Sequence, residues 1–352
     1  MLYIHIGTQK TGSSSIQHVL NMNAPFLEKH SLRYLHAGRQ KPADMRIHHN
    51  PVAAMLLSGD GARFGRELHR ELARSRCRDA ILSGELLSQP GVATRLHDIL
   101  PEPLQDQTRI VVYLRRPDLY VESLFKQRVK ADATTSTARQ FLRQHHARLL
   151  HSQIIDEYAD SFGEQSIILR PYDPCHLLNG NAVDDFLNVL GITETADLIT
   201  PAEPANTSFS LAFSQMSGLA VRQLQLTAPA ITSAAQKLAP AGISRSRDVY
   251  HLDRRRWIVS QHADQIEALR RRFRPDLEAL FDLSDLSEGA KDPFPTEKEQ
   301  IKLMRDASAA IFRILPYLQE ERKPPSLRRA ISQYLPGSPF RHGFAFRRRP
   351  DA

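Results

Sequence analysis

Residues 7 to 12 read Gly7, Thr8, Gln9, Lys10, Thr11, Gly12, and Ser13, Ser14 and Ser15 follow at once. Two glycines flanking a lysine, with hydroxyls beyond, are the parts of an anion cradle. The glycines permit a tight turn, backbone N–H groups at a helix start face outward, and the helix dipole favours negative charge there. A loop built for nucleoside triphosphates runs G-x-x-x-x-G-K-[ST], its lysine after the second glycine and its hydroxyl on magnesium. Here Ser13 stands directly after Gly12 and the lysine is displaced to position 10. A mid-loop lysine reaches the bridging oxygen of a phosphate-linked leaving group rather than the outer phosphates of ATP. No apolar run ends in a clear metal-binding Asp of the kind such loops are paired with, and no metal is expected.

In IVVYLRRPDLYVESLFKQ a strand is followed by Arg115, a Pro-containing turn and a helix carrying Ser123. A guanidinium makes fork-shaped, charge-assisted hydrogen bonds to phosphate, and a serine on the first turns of the next helix adds a neutral donor. For a general base there are two kinds of candidate. Glu85, in LSGELLS, lies just beyond an apolar run, at the sheet edge where ligands bind in α/β folds. A neighbouring cation such as Lys10 would have to position it; as a plain helix-start acid it would need none. His49, beside His48 in RIHHNPVAAM, is the rival, since imidazole titrates nearest neutrality. His5, inside the first strand, reads as a packed core residue.

These groups need a scaffold that gathers strand ends. Short apolar runs at Leu2 to Ile6, Ala80 to Leu82, Ile110 to Leu114 and Ser166 to Leu169 alternate with helical spacing at Ser13 to Leu20, Phe64 to Ala73 and Leu119 to Val129. Alternation of this kind predicts an α/β fold: a three-layer, P-loop NTPase-like parallel sheet flanked by helices. Beyond about residue 205 strand signals fade, and Ser208 to Gln225, Arg254 to Phe273 and Glu297 to Leu318 predict a helical C-terminal half. Three segments are expected: an α/β domain over residues 1–285, helical from about 205; a helical extension over 286–322; and a basic, Pro-rich tail over 323–352.

The chain has 352 residues, 41% apolar and 24% charged, within the ordinary range for a globular protein and outside that for a disordered one. The two cysteines, Cys77 and Cys175, support neither a disulfide framework nor a metal site of their own. No signal peptide or membrane-length apolar run is expected, and a reducing cytoplasm fits. Of the net charge of +8, almost all lies from Arg322 onward, where eight Lys or Arg face only Asp351. Such a tail, interleaved with aromatics, is a solvated end or a peripheral contact for an anionic membrane surface. Nucleic acid is not an expected partner, because no reader motif or zinc spacing occurs.

The loop G-T-Q-K-T-G-S-S-S-I-Q resembles the 5′-phosphosulfate loop, roughly G-x-x-K-[TSG]-G-[ST]-[ST], of sulfotransferases that use 3′-phosphoadenosine-5′-phosphosulfate (PAPS). The segment from Ile110 to Gln127 resembles the strand-L-R-x-P-x-x-x-x-x-S segment of the same superfamily. LSGELLS, LRPYD (Leu169 to Asp173), DDFLNVLGI (Asp184 to Ile192) and NTSFS (Asn206 to Ser210) resemble, more weakly, segments of its bacterial members, so that the likeness runs over about residues 1 to 285. The resemblance implies PAPS as co-substrate, with Lys10, Ser13 and Ser14 on the 5′-phosphosulfate, and Arg115 and Ser123 on the 3′-phosphate. It also implies a Glu base at Glu85 and a hydroxyl-bearing acceptor, a carbohydrate, glycolipid or other small molecule. The R-x-G-x-x-G segment of animal cytosolic members has no match, and Arg245, Arg247 or the Arg254 to Arg256 cluster are its candidate substitutes. Two other readings stand beside this one. A P-loop kinase of small alcohols predicts magnesium dependence, and a non-catalytic anion-binding module predicts no turnover and steep salt dependence.

Overall fold

The computed structural model describes residues 1–39, 47–145, 149, 151–199, 208–238 and 240–322. The basic tail, and with it the expected membrane contact, lies outside them. Five strands form one all-parallel sheet: β1 (Leu2–His5), β2 (Leu32–Tyr34), β3 (Asp79–Ser83), β4 (Thr108–Leu114) and β5 (Ile167–Pro171), in the order β2-β3-β1-β4-β5. This is the expected α/β architecture, with helices on both faces of the sheet. Both faces are covered because both are apolar. Leu2 and Ile4 of β1, with Ile110, Val112 and Leu114 of β4, pack into one core with Val52, Phe64, Leu96 and Tyr158 of the covering helices. Tyr3, Val111 and Tyr113 point the other way, into a core with Ile16, Leu20 and Phe186. A strand buried on both faces loses the polar alternation of a half-exposed one, which is why these runs read as continuously apolar.

With β1 at the centre and β3 and β4 on either side of it, the chain reverses direction across the sheet at β1. The crevice of an open α/β sheet forms beyond the carboxyl ends of the strands at such a reversal. Register fixes what meets there: His5 pairs with Ser83 and Val111, and Leu114 with Pro171. The loop after β1, Glu85 after β3, Arg115 after β4 and Tyr172 after β5 therefore share one edge of the sheet.

The helical half has a core of its own. Phe213 of the Leu211–Leu224 helix and Ile231 of the Ala228–Leu238 helix pack with Ala307, Ala310, Ile311 and Ile314 of the long Glu297–Arg322 helix. The single helix expected over Arg254 to Phe273 is two, Leu252–Ser260 and Ala263–Phe273, divided at Gln261 and His262. No helix among the described residues is long and apolar enough to cross a membrane.

One helix joins this half to the site. The Pro117–Lys130 helix starts with Pro at its first position and Asp118 in its first turn, and ends with Arg128 and Lys130, each placed as the backbone dipole favours. Its inner face carries charge that is neutralised in place. Arg255, fully buried, donates to Asp118 Oδ2 at 3.0 Å, to the Tyr250 carbonyl at 3.1 Å and to Glu122. Arg116 forks onto Asp118 and Asp285, and Lys126 pairs with Glu122 at 3.2 Å and with Asp248. Burial alone would raise the Glu122 carboxyl, but the charges of Lys126 and Arg255 hold it below its ordinary value. Removing one partner from such a cluster leaves an uncompensated buried charge. Arg255→Met is expected to cost about 3–5 kcal/mol of stability in urea unfolding; a loss under about 1 kcal/mol would show that the cluster contributes no more than a surface pair.

Candidate active site

The loop after β1 is held in shape by its own hydroxyls. Tyr113 N–H donates to the Gly7 carbonyl at 2.6 Å and Thr8 N–H to the Tyr113 carbonyl at 2.9 Å, which extends the β1–β4 ladder into the loop. The Thr8 carbonyl then accepts from Thr11 Oγ1 at 2.6 Å and Ser13 Oγ at 3.2 Å. Ser15 and Ile16 N–H donate to the Gly12 carbonyl, so the amides of Ser13 and Ser14 are the outward-facing first turn of the Ser13–Met22 helix. Both glycines are required by conformation and by space. Gly7 has φ +90 and a Cβ there would sit 3.1 Å from Glu85 Cβ; Gly12 has φ +80 and its Cβ would meet Ala182 Cβ at 3.0 Å and Tyr172 Cε2 at 3.2 Å.

Lys10, Ser13, Ser14, Arg115 and Ser123 come together around one polar cleft of about 180 Å³, with Glu85 also on its wall. Arg115 Nη1 donates to the Lys10 carbonyl at 3.0 Å, which fastens the loop after β1 to the turn after β4. Burial and the Arg115 charge push the Lys10 ammonium below its usual value, while Glu85 acts against them. Burial pushes the Glu85 carboxyl up, and Lys10 offsets part of that. Each group is thus less at ease in its charged form than it would be in water, and an arriving anion would be met by a cation already stripped of much of its solvent.

A second cavity, of about 570 Å³, shares Glu85 with the cleft. Thr8, Gln9, Glu85, Tyr120 and His151 are on its wall, so Glu85 borders both spaces. A carboxylate on the wall of both a cleft lined by cations and a larger cavity is placed to act as a base if a group passes from a donor in one to an acceptor in the other.

Other expected residues fall elsewhere. Gly7, Thr11 and Ser15 shape the loop without lining either cavity, and Thr8 and Gln9 line the larger one. His49 lines neither. It is fully buried, its Nε2–H directed to the Leu35 carbonyl at 2.9 Å and its Nδ1 accepting from Ser83 N–H at 3.1 Å, the arrangement of a neutral ring. Burial pushes its pKa down to about 3. Both nitrogens are thereby occupied in joining the ends of β2 and β3, which leaves none for a substrate proton. His5 is a core residue as expected, bonded through Nδ1 to Ser83 Oγ at 2.8 Å. Arg245 turns to the Pro293 carbonyl and Glu299, Arg247 to Asp285, Arg255 to the buried cluster, and Arg256 to the Leu286 and Ser287 carbonyls, while Arg254 lies over the Trp257 ring. None of these five lines the cleft.

The cleft also contains Gln127, Tyr172 and Ser208, which the sequence reading did not single out. Gln127 lies four residues after Ser123 on the same helix face, a spacing that marks it as a neighbour. Tyr172 is the first residue past β5 and lies under Arg115, with the guanidinium carbon 5.5 Å from the ring centre. Close by, Lys130 sits over the Phe209 ring at 5.2 Å, and burial together with the Lys10 charge pushes its pKa down to about 8.

No family model matches the chain. Over 87 residues it is 37% identical to an uncharacterised protein of Archaeoglobus fulgidus, a match that spans 24% of this chain and 23% of that protein. Among solved structures it is similar to the crystal structure of a sulfotransferase from Alicyclobacillus acidocaldarius, at 20% identity and a TM-score of 0.32, over 63% of this chain and 93% of that one.

Proposed function

We propose that the protein is a sulfotransferase that moves a sulfuryl group from PAPS to a hydroxyl of a carbohydrate, glycolipid or other small acceptor. The observation that carries this reading is the convergence of Lys10, Arg115 and Ser123 on one cleft whose boundary with a second cavity is Glu85. The donor set suits two phosphate groups. Lys10 with the Ser13 and Ser14 amides would hold the 5′-phosphosulfate, and Arg115 with Ser123 the 3′-phosphate. PAPS brings a sulfuryl group activated by its bond to phosphate. In the transfer the acceptor oxygen bonds to sulfur, the bond from sulfur to the bridging phosphate oxygen breaks, and the acceptor proton passes to Glu85. As in phosphoryl transfer, the protein's share is positioning and charge neutralisation. The raised pKa of Glu85 makes it a stronger base than an exposed glutamate.

Sulfur-labelled PAPS, offered with a panel of alcohols and glycosides, is expected to label an acceptor, while γ-labelled ATP with magnesium is not; the opposite pattern would make the protein a kinase. Glu85→Gln is expected to lower turnover by about 10²–10⁴-fold and to leave affinity for the spent co-substrate, 3′-phosphoadenosine-5′-phosphate (PAP), intact. In the wild type the rate should fall as pH drops through the Glu85 pKa, at a point above the ordinary glutamate range, because protonation removes the base. That limb should vanish in Glu85→Gln. A variant with wild-type turnover would transfer the base role elsewhere.

A further inference from the structure

The larger cavity has the size of a small-molecule site, and its lining is selective. Leu57, Leu86 and Ile154 give it an apolar side, Gln9, Gln89 and Gln153 bring amides, and among the described residues no lysine or arginine lines it. Its two carboxylates differ. Glu157 is committed to the start of the Val92–Ile99 helix, accepting from Gly91 N–H at 3.0 Å and Ala93 N–H at 3.1 Å, whereas Glu85 faces both cavities. His151 is 5% exposed, its ring edge-on to Tyr120 at 5.1 Å, and neither of its nitrogens has a hydrogen-bond partner among the described residues. Buried ring nitrogens without partners are costly, and native structures rarely leave them so.

We propose that this cavity is the acceptor site and takes an uncharged, hydroxyl-bearing molecule with an apolar flank, His151 hydrogen-bonding one of its hydroxyls. The inference rests on the sulfotransferase reading and narrows its acceptor class. A neutral imidazole has one donor and one acceptor, and a hydroxyl answers either. Burial, then the nearby His262, pushes the His151 pKa down to about 4, so the ring contributes no positive charge near neutral pH. With carboxylates and neutral groups around it, an acceptor bearing its own carboxylate or sulfate would be repelled. The leucines and Ile154 suit an alkyl chain or the apolar face of a sugar, and an alkyl glycoside combines both features.

The test titrates octyl β-glucoside and octyl β-glucuronide, which differ in a carboxylate, into the full chain with and without PAP. The glucoside is expected to bind at least about tenfold more tightly than the glucuronide. His151→Phe, which keeps the ring and removes both nitrogens, is expected to weaken glucoside binding about tenfold without changing PAP affinity. Leu57→Lys, at the 42% exposed rim, is expected to shift the preference toward the glucuronide. Equal or tighter binding of the glucuronide by the wild type overturns the proposal, as does wild-type glucoside affinity in a His151→Phe variant that still binds PAP. Should His151→Phe not fold, an unchanged preference in Leu57→Lys overturns it instead. Failure of the sulfotransferase reading looks different: PAP does not bind, whatever the glycosides do.

Discussion

Lys10→Ala is expected to fold as the wild type does and to lose about 10²–10³-fold in sulfuryl transfer, the cost of removing one group that stabilises charge developing in the transition state. The fold should survive because Lys10 contributes little to it. Burial and Arg115 press its ammonium below its usual pKa, so in the ligand-free protein its charge does not help hold the fold. The loop is held by Thr8, Thr11, Ser13 and the Arg115 bond to the Lys10 carbonyl, all of which an alanine at position 10 leaves in place. Affinity for PAP should fall less than turnover, since the leaving phosphate gains charge only as the bond to sulfur breaks. Lys10→Arg should rescue poorly, because a planar fork does not replace a point charge in a tight turn. Thermal unfolding, PAP titration and turnover read the three effects separately. Undiminished turnover in Lys10→Ala would remove the loop from the chemistry.

The second large effect belongs to Arg115. A charge-assisted hydrogen bond contributes about 1.5–3 kcal/mol, so Arg115→Ala should weaken PAP by about 10–150-fold. Because Arg115 also braces the loop, the decisive comparison is with adenosine 5′-monophosphate, which lacks the 3′-phosphate. If Arg115 grips the 3′-phosphate, the preference for PAP over the monophosphate collapses. If it only braces the loop, both weaken together and the preference stands. Ser123→Ala touches no bracing bond and should cost PAP alone about 0.5–1.5 kcal/mol.

Much of this arrangement is legible in the sequence where one local rule governs one element. Four of the five strands are visible as short apolar runs: β1, β3 and β4 because they are buried on both faces, and the edge strand β5 through Ile167 to Leu169. β2 is not, because Leu32, Arg33 and Tyr34 are three residues with a charge between them. What makes them a strand is pairing with β3, Leu32 opposite Asp79, and no local pattern encodes that. The division of the 254–273 helix at His262 is similarly hidden, since neither proline nor glycine marks it. At the site, the glycine-flanked loop and Arg115 are readable because a glycine turn between strand and helix, and an arginine just past a strand end, sit at stereotyped spacing. His49 shows the limit. Its chemistry makes it a reasonable base on paper, but the fold spends both its nitrogens on the backbone between two strand ends. The arginines at 245, 247 and 255 are a second case: charge counts as available in a sequence, whereas in the structure Asp118, Glu122, Asp285 and Glu299 have already claimed it. His151 carried no signal at all, because an unpartnered nitrogen is a property of its surroundings.

The central claim is that the cleft between Lys10 and Arg115 holds a 3′,5′-bisphosphorylated adenosine. Calorimetric titration of the full chain with PAP, and separately with ATP and magnesium, tests it most directly. Tight binding of PAP with ATP weaker by at least about tenfold, 1.4 kcal/mol, is the result this account requires; ATP bound as tightly as PAP, or PAP not bound, would contradict it.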